Sequence, residues 1–273
     1  MVVREVSPPT PEGLSRKMPA SHELVAAVGQ GKSGAITIST RGVHPEVLMG
    51  VELPGVQAMW TVHHRSLSAT PEANPFHAYL IISLEDSTMV LETGEELNEL
   101  TAEGSEYNLE APTVCAGNLF GGARIAQVCA DGVRVMAGSV MAQQLASGGG
   151  AAISQAAVED QYVALLHAGG AVRVLVGDTS SYRLRDAPEL DAALPKRGVT
   201  AVCLLRDDTG VASTALGRPA YAGAVYLVMA VEEGDKVLWH ALPGGELVYT
   251  AVGLAGAEAI VAAAQASPAE GAV

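Results

Sequence analysis

One unit recurs along this chain of 273 residues and narrows the folds open to it: an apolar run, a tight polar or glycine turn, and a second apolar run. It reads VAAVGQGKSGAITI from Val25, IISLEDSTMVLE from Ile81, IAQVCADGVRVM from Ile125, VALLHAGGAVRVLV from Val163 and VYLVMAVEEGDKVLWHAL from Val225. Successive starts are therefore 56, 44, 38 and 62 residues apart. The runs are 4 to 8 residues long, alternate with small or polar residues and end at Gly, Asp, Asn or Pro, which is strand grammar. About 18 strands are expected. They include Leu24–Val28, Ala35–Thr40, Gln57–Val62, Tyr79–Ser83, Thr88–Glu92, Arg124–Cys129, Tyr162–His167, Val172–Val176, Val199–Leu205, Val225–Val231 and Val237–Ala241. Four strands per period of roughly 40 to 60 residues is what propeller blades require, because a four-stranded sheet of this kind buries its faces only against its neighbours. The expectation is an all-β fold, a β-propeller of four to five blades forming a partial or irregular ring. An ordinary antiparallel sandwich or barrel is the other all-β solution.

Composition fits that reading. Aromatic residues are scarce (2 Phe, 2 Trp, 7 Tyr), so packing rests on Val, Ala, Leu and Ile, while 30 Gly and 14 Pro supply many turns. No amphipathic helix interrupts the strands. The first 20 residues hold four prolines and read as a leader (1–20). Blades are expected over 21–256, with structure beginning near Glu23, and an Ala-rich loose tail over 257–273. Neither a signal peptide nor a stretch of 18 apolar residues is present.

The net charge of −14 is the wrong sign for a surface that must neutralise phosphates, which argues against direct nucleic-acid binding. Other chemistries fail residue by residue. Gly29, Gly31 and Gly34 satisfy G-x-G-x-x-G around Lys32, but the β-rich AITIST follows where a phosphate site needs a helix N-terminus. A hairpin turn is expected instead. A Walker loop would also need glycine where Ala26 stands. His63 and His64 are adjacent and point to opposite faces of a strand; His44 and His77 lie in loops without ligand partners, and His167 and His240 close strands. No metal site is expected. Cys115, Cys129 and Cys203 sit in apolar runs and read as buried free thiols. Acid clusters at Glu85-Asp86, Glu92 to Glu99 and Glu232 to Asp235 fall at turns and solvated edges, where carboxylates aid solubility. Trp60 and Trp239 have no basic residues interleaved around them and read as packing. No catalytic residue, cofactor or small-molecule substrate is expected.

The ordered strings ELVAAVGQGKSGAITI, HPEVLMGVELPGVQAMWTV, AYLIISLEDSTMVLETGEELNEL and APTVCAGNLFGGARIAQVCADGVRVMAG resemble the second β-propeller of the triple-propeller family. That family contains the large subunits of the cleavage and polyadenylation specificity factor and of the UV-damaged DNA-binding complex, with a subunit of the splicing factor that accompanies the U2 particle. LEDSTMVLETGEELNEL followed by PTVCAGN is most similar to the polyadenylation-factor member. The positions that carry the resemblance are Gly29, Gly31, Lys32, Gly34, Leu53, Pro54, Gly55, Trp60, Glu85, Asp86, Ser87, Thr93, Gly94, Pro112, Thr113, Gly117 and Asn118. It runs from about Glu23 to Val176, and more loosely to Ala255. It implies a nuclear, non-catalytic scaffold for mRNA processing that holds other subunits of the cleavage and polyadenylation specificity factor and meets pre-mRNA through them. The splicing and DNA-damage branches are the alternatives. Relative to that family the chain reads as one piece, the second propeller without the first and third, and an open arc is expected to fold poorly until its end faces are covered.

Overall fold

A computed structural model describes residues 2–6, 21–28, 31–40, 50, 52–67, 77–94, 96–148, 150–218, 223–232 and 236–252. The chain divides into two compact units, Met1–Glu52 and Leu53–Val273. In the first, β1 (Val2–Val6), β2 (Ser21–Val28) and β3 (Ala35–Thr40) form one antiparallel sheet in that order. β1 falls within the stretch read as a leader. Its VVREV sequence pairs with β2 from Val2↔Val25 to Val6↔Ser21, so a partner strand orders a segment whose own proline-rich flank gives no strand signal. Gly31–Ser33 make a single 3-10 turn between β2 and β3, with Gly31 at φ 57°. The G-x-G-x-x-G motif thus leads into a strand.

The second unit holds four antiparallel sheets of four strands, each a meander in chain order. The first is β4 (Ala58–Val62), β5 (Tyr79–Ser83), β6 (Thr88–Thr93) and β7 (Leu97–Glu99). The second is β8 (Thr113–Leu119), β9 (Arg124–Cys129), β10 (Gly132–Ala137) and β11 (Val140–Ala146). The third is β12 (Ile153–Glu159), β13 (Tyr162–His167), β14 (Val172–Asp178) and β15 (Arg183–Asp186). The fourth is β16 (Val199–Asp207), β17 (Ala224–Val231), β18 (Lys236–Leu242) and β19 (Glu246–Ala251). The unit repeating from Ile81, Ile125, Val163 and Val225 is the same piece each time, the central hairpin of a sheet (β5–β6, β9–β10, β13–β14 and β17–β18).

First strands neighbour first strands: β8 packs beside β4 and β12, and β12 beside β16. The sheets therefore stack side by side as blades about a row of inner strands, a partial propeller. Apolar layers fill each joint. Tyr79, Ile81 and Val90 meet Ala116, Ile125 and Met136 between the first two blades. Val128, Val133 and Val135 meet Ala156, Val163 and Leu165 at the second joint. Ala164, Leu166 and Val174 meet Val202, Leu227 and Met229 at the third. These strands bury both faces, so their sequences read as near-continuous apolar runs.

Two short helices depart from the all-strand expectation. α1 (Pro188–Ala193) lies in the β15–β16 connection and α2 (Val211–Ala215) in the β16–β17 connection. At five and six residues they are too short for a helical period to show in sequence. Pro188 opens α1 in the turn that tolerates it, and Leu190, 2% exposed, is the one side chain that helix buries. The long interval between the units at Val163 and Val225 is spent on these two insertions.

Candidate functional site

The geometry shared by all three joints is a polar side chain of one blade bonded to the backbone of the next. Asn118, near the end of β8, spans the first joint. Its Nδ2 donates to the His63 carbonyl at 2.7 Å and its Oδ1 accepts from the His63 amide at 2.9 Å. Arg65 N also donates to the Gly122 carbonyl at 2.8 Å. At the second joint, the Asp160 carboxylate accepts from the amides of Phe120 and, at 2.9 Å, Gly121. Gln143 reads the Leu184 backbone in both directions, at 2.8 and 2.9 Å. At the third, Gln155 Oε1 accepts from Val202 N at 3.0 Å, while Arg206 donates to Glu159 at 2.5 Å and to the Asp160 carbonyl at 3.1 Å. Amides and carboxylates that bridge backbone groups fix one register between sheets that apolar contact alone would leave free to slide.

A buried network reinforces the first joint. Gln127, fully buried, exchanges bonds with the Asn108 amide (2.8 Å) and carbonyl (2.9 Å) and donates to Thr113 Oγ1 at 3.0 Å. Thr113 is 2.8 Å from Thr88 Oγ1, which donates to the Ala111 carbonyl at 2.7 Å. The 100–112 connection is thereby tied to both blades. Gly117 does its part by having no side chain: a Cβ there would lie 2.8 Å from Val158 Cγ1. The close approach of β8 to β12 requires glycine at this point.

The family-resemblance positions divide between such structural roles and surface turns. Thr113, Gly117 and Asn118 work at joints, and Trp60 packs half-buried on the first apolar layer. Thr93 Oγ1 donates to the His77 carbonyl, and Gly94 is exposed in the turn after it. Glu85, Asp86 and Ser87 form the β5–β6 turn, closed by Leu84 N donating to Ser87 O at 2.9 Å. Gly55 (φ 76°) turns the chain beside Glu85 in the Leu53-Pro54-Gly55 approach to β4. Pro112 precedes β8 at the surface, Lys32 is exposed, and Gly34 N closes the 3-10 turn onto Gly31 O at 3.1 Å. Gly29 and His44 lie outside the described residues. Asp160, Gln143, Gln155 and Arg206 were not singled out in the sequence; a lone polar residue at a strand end carries no signal of what it will meet across a joint.

All three cysteines are free and buried, and burial pushes the Cys129 and Cys203 thiols up to about 11, which keeps them protonated near neutrality. The His63 and His77 rings stack at 4.0 Å. Burial first, then the neighbouring His63, holds the His77 pKa below its usual value; burial and then Arg124 do the same to His64. Among the described residues no group of three His, Cys, Asp or Glu side chains could hold a metal ion, and no helix is long and apolar enough to cross a membrane. An open cleft of about 520 Å³ between the third and fourth blades is lined by Tyr162, Arg206, Arg218, Tyr226 and Pro243. Its two arginines are already paired, Arg206 with Glu159 and Arg218 with Glu246.

The stacked four-stranded meanders define the chain as a β-propeller protein whose blades are joined by polar side chains as well as by apolar layers. The family described as the RSE1/DDB1/CPSF1 second β-propeller matches residues 45–262, and the chain belongs to it. It is 37% identical over 211 residues to a probable cleavage and polyadenylation specificity factor subunit 1 of Oryza sativa subsp. japonica, covering 73% of this chain and 14% of that protein. The subunit 1 of Arabidopsis thaliana is 36% identical over 216 residues, 72% of this chain and 15% of that protein. Splicing factor 3B subunit 3 of Drosophila melanogaster is 28% identical over 148 residues, 54% of this chain and 11% of that protein. The chain thus spans about one seventh of the length of the two plant relatives.

Proposed function

We propose that this chain is a non-catalytic interaction scaffold of the pre-mRNA 3′-end cleavage and polyadenylation machinery. In this reading it works in the nucleus, holds other subunits of the cleavage and polyadenylation specificity factor and meets pre-mRNA through them. The observation that carries it is the identity of 37% to a subunit 1 of that factor across 73% of the chain. The joints support it: polar side chains of one blade bond the backbone of the next, which suits a rigid scaffold. The charge of −14 favours protein partners over direct contact with RNA. Affinity capture from nuclear extract followed by mass spectrometry tests it. Recovery of 3′-processing subunits is the expected result, and recovery of cullin-ligase components in their place overturns it.

A second reading, a scaffold in a splicing complex, is favoured by the match to splicing factor 3B subunit 3. Enrichment of splicing subunits without 3′-processing subunits in the same capture would select it.

A further inference from the structure

The turns between the first and second strands of the blades meet at one end of the propeller and are tied to one another. Arg65 N donates to the Gly122 carbonyl at 2.8 Å, the Asp160 carboxylate holds the amides of Phe120 and Gly121, and Arg206 Nη2 donates to the Asp160 carbonyl at 3.1 Å. Arginine side chains gather along these contacts. Arg65 Nη2 is 3.7 Å from the position a Cβ would take at Gly121. Arg124, the first residue of β9, lies over the Tyr182 ring at 5.5 Å, and its buried Nε has no hydrogen-bond partner among the described residues. Arg206 and Arg218 line the open cleft between the third and fourth blades, walled by Tyr162 and Pro243. The described non-glycine residues with left-handed backbone, Phe120, Gln161 and Tyr182 (φ 55°, 75° and 54°), also lie in turns at this end. Conformations of that kind cluster at ligand clamps and other functional sites.

Consecutive hairpins of a meander turn at alternate ends, so the turns between second and third strands lie at the other end. Those turns carry Glu85, Asp86, Asp131 and Glu232 and no lysine or arginine. At the arginine end the neighbouring carboxylates are engaged. Asp160 holds two amides, Asp207 accepts from the Ser213 amide and hydroxyl, and Glu159 and Glu246 pair with Arg206 and Arg218. Those pairs use only part of each guanidinium. Among the described residues Arg206 donates through Nε and Nη2 and Arg218 through Nη1, of the five N–H donors an arginine has. Both side chains face solvent, at 31% and 37% exposure, so a carboxylate entering the cleft meets two cations and unspent donors. A nucleic-acid strand is the poorer fit. It sets a charge at every nucleotide, and the exposed Asp208 with Glu159 and Glu246 would repel some of them, whereas the acids of a peptide can be spaced to miss these.

We propose that this end of the propeller binds an acidic segment of a partner protein, with one carboxylate seated between Arg206 and Arg218 in the cleft and further acids reaching Arg124 and Arg65. The proposal rests on the scaffold reading above and gives the chemistry of one partner.

Fluorescence anisotropy with the purified full chain tests it, using a labelled peptide of repeated Gly-Ser-Glu and a Gly-Ser-Gln peptide as control. The Glu peptide should bind at least tenfold more tightly than the Gln peptide. Arg218→Glu and Arg65→Glu should each weaken it at least fivefold, and Arg197→Glu, the same change of net charge in the β15–β16 connection at the opposite end, less than twofold. Thermal melts confirm that each variant folds, and Arg65→Glu, whose side chain is exposed, carries the test if Arg218→Glu does not. Equal binding of the two peptides overturns the proposal, as does an Arg197→Glu effect as large as that of Arg218→Glu or Arg65→Glu. An oligouridylate that displaces the Glu peptide at equal concentration overturns it in favour of RNA. Because no extract is used, failure here leaves capture of 3′-processing subunits standing, and failure of that capture leaves the peptide result standing.

Discussion

Replacing Gly117 by alanine tests the joint between the second and third blades at its tightest point. The new Cβ would sit 2.8 Å from Val158 Cγ1 and 2.9 Å from Val158 Cβ, where contacting carbons prefer about 3.5–4.0 Å. Turning the valine rotamer moves Cγ1 and leaves Cβ where it is, so β8 and β12 must separate by roughly 0.6 Å to reach contact distance. Overpacking of this kind costs about 1–3 kcal/mol. Loss of glycine's freedom in the unfolded chain returns about 0.5–1 kcal/mol. The net is a destabilisation of about 1–2 kcal/mol, which for a unit of this size lowers Tm by roughly 3–6 °C in a thermal melt. Val158→Ala alone should cost about 1.5 kcal/mol for two lost methyl groups. Because it removes Cγ1 but leaves Cβ at 2.9 Å, the double variant should regain only a small part of the clash, and the two singles should add to within about 0.5 kcal/mol. A Gly117→Ala protein that melts with the wild type would refute the close-approach argument.

Three further outcomes follow from the same geometry. Asn118→Ala removes both bonds to the His63 backbone and should lower the urea midpoint by an amount equivalent to about 1–2 kcal/mol, with Asn118→Asp, which keeps only the acceptor, intermediate. Tyr107→Phe deletes a buried hydroxyl that has no hydrogen-bond partner among the described residues, so it should leave Tm unchanged or raise it, and a fall of several degrees would show that the hydroxyl is satisfied. Asp207 makes the acid limb of stability testable. Burial pushes its pKa up, but the amide and hydroxyl of Ser213 and the amides of Ala212 and Gly210 outweigh this and hold it below the usual carboxylate range. A depressed folded-state pKa gives stability that is present above the unfolded value and lost as pH falls through the folded one. Wild type should therefore be more stable than Asp207→Asn at neutral pH and converge with it in strong acid, followed by the fluorescence of Trp239, 6.0 Å from Tyr226.

The hairpins were legible because their information is local. Tyr79–Ser83, Arg124–Cys129 and Tyr162–His167 are strands on alternation and punctuation alone, and the structure places them at those bounds. The recurrence of the hairpin fixed the blade pattern for the same reason, since the spacing of turns is written along the chain. β1, α1 and α2 were not legible. β1 is a strand through its pairing with β2, and the helices last barely one turn, so neither has a periodicity of its own.

The joints belong to the tertiary structure. Nothing local distinguishes Asn118 from Asn98, yet one spans two blades and the other is exposed on β7; nothing local says that Gly117 meets Val158 or that Asp160 caps Phe120 and Gly121. Sequence by itself determined a chain of short strands grouped into blades, because burial pattern and turn residues act over a few positions. Which residues lock one blade to the next was decided only when sheets far apart in the chain came within hydrogen-bond distance, since those contacts depend on the position of a partner some 40 to 55 residues away.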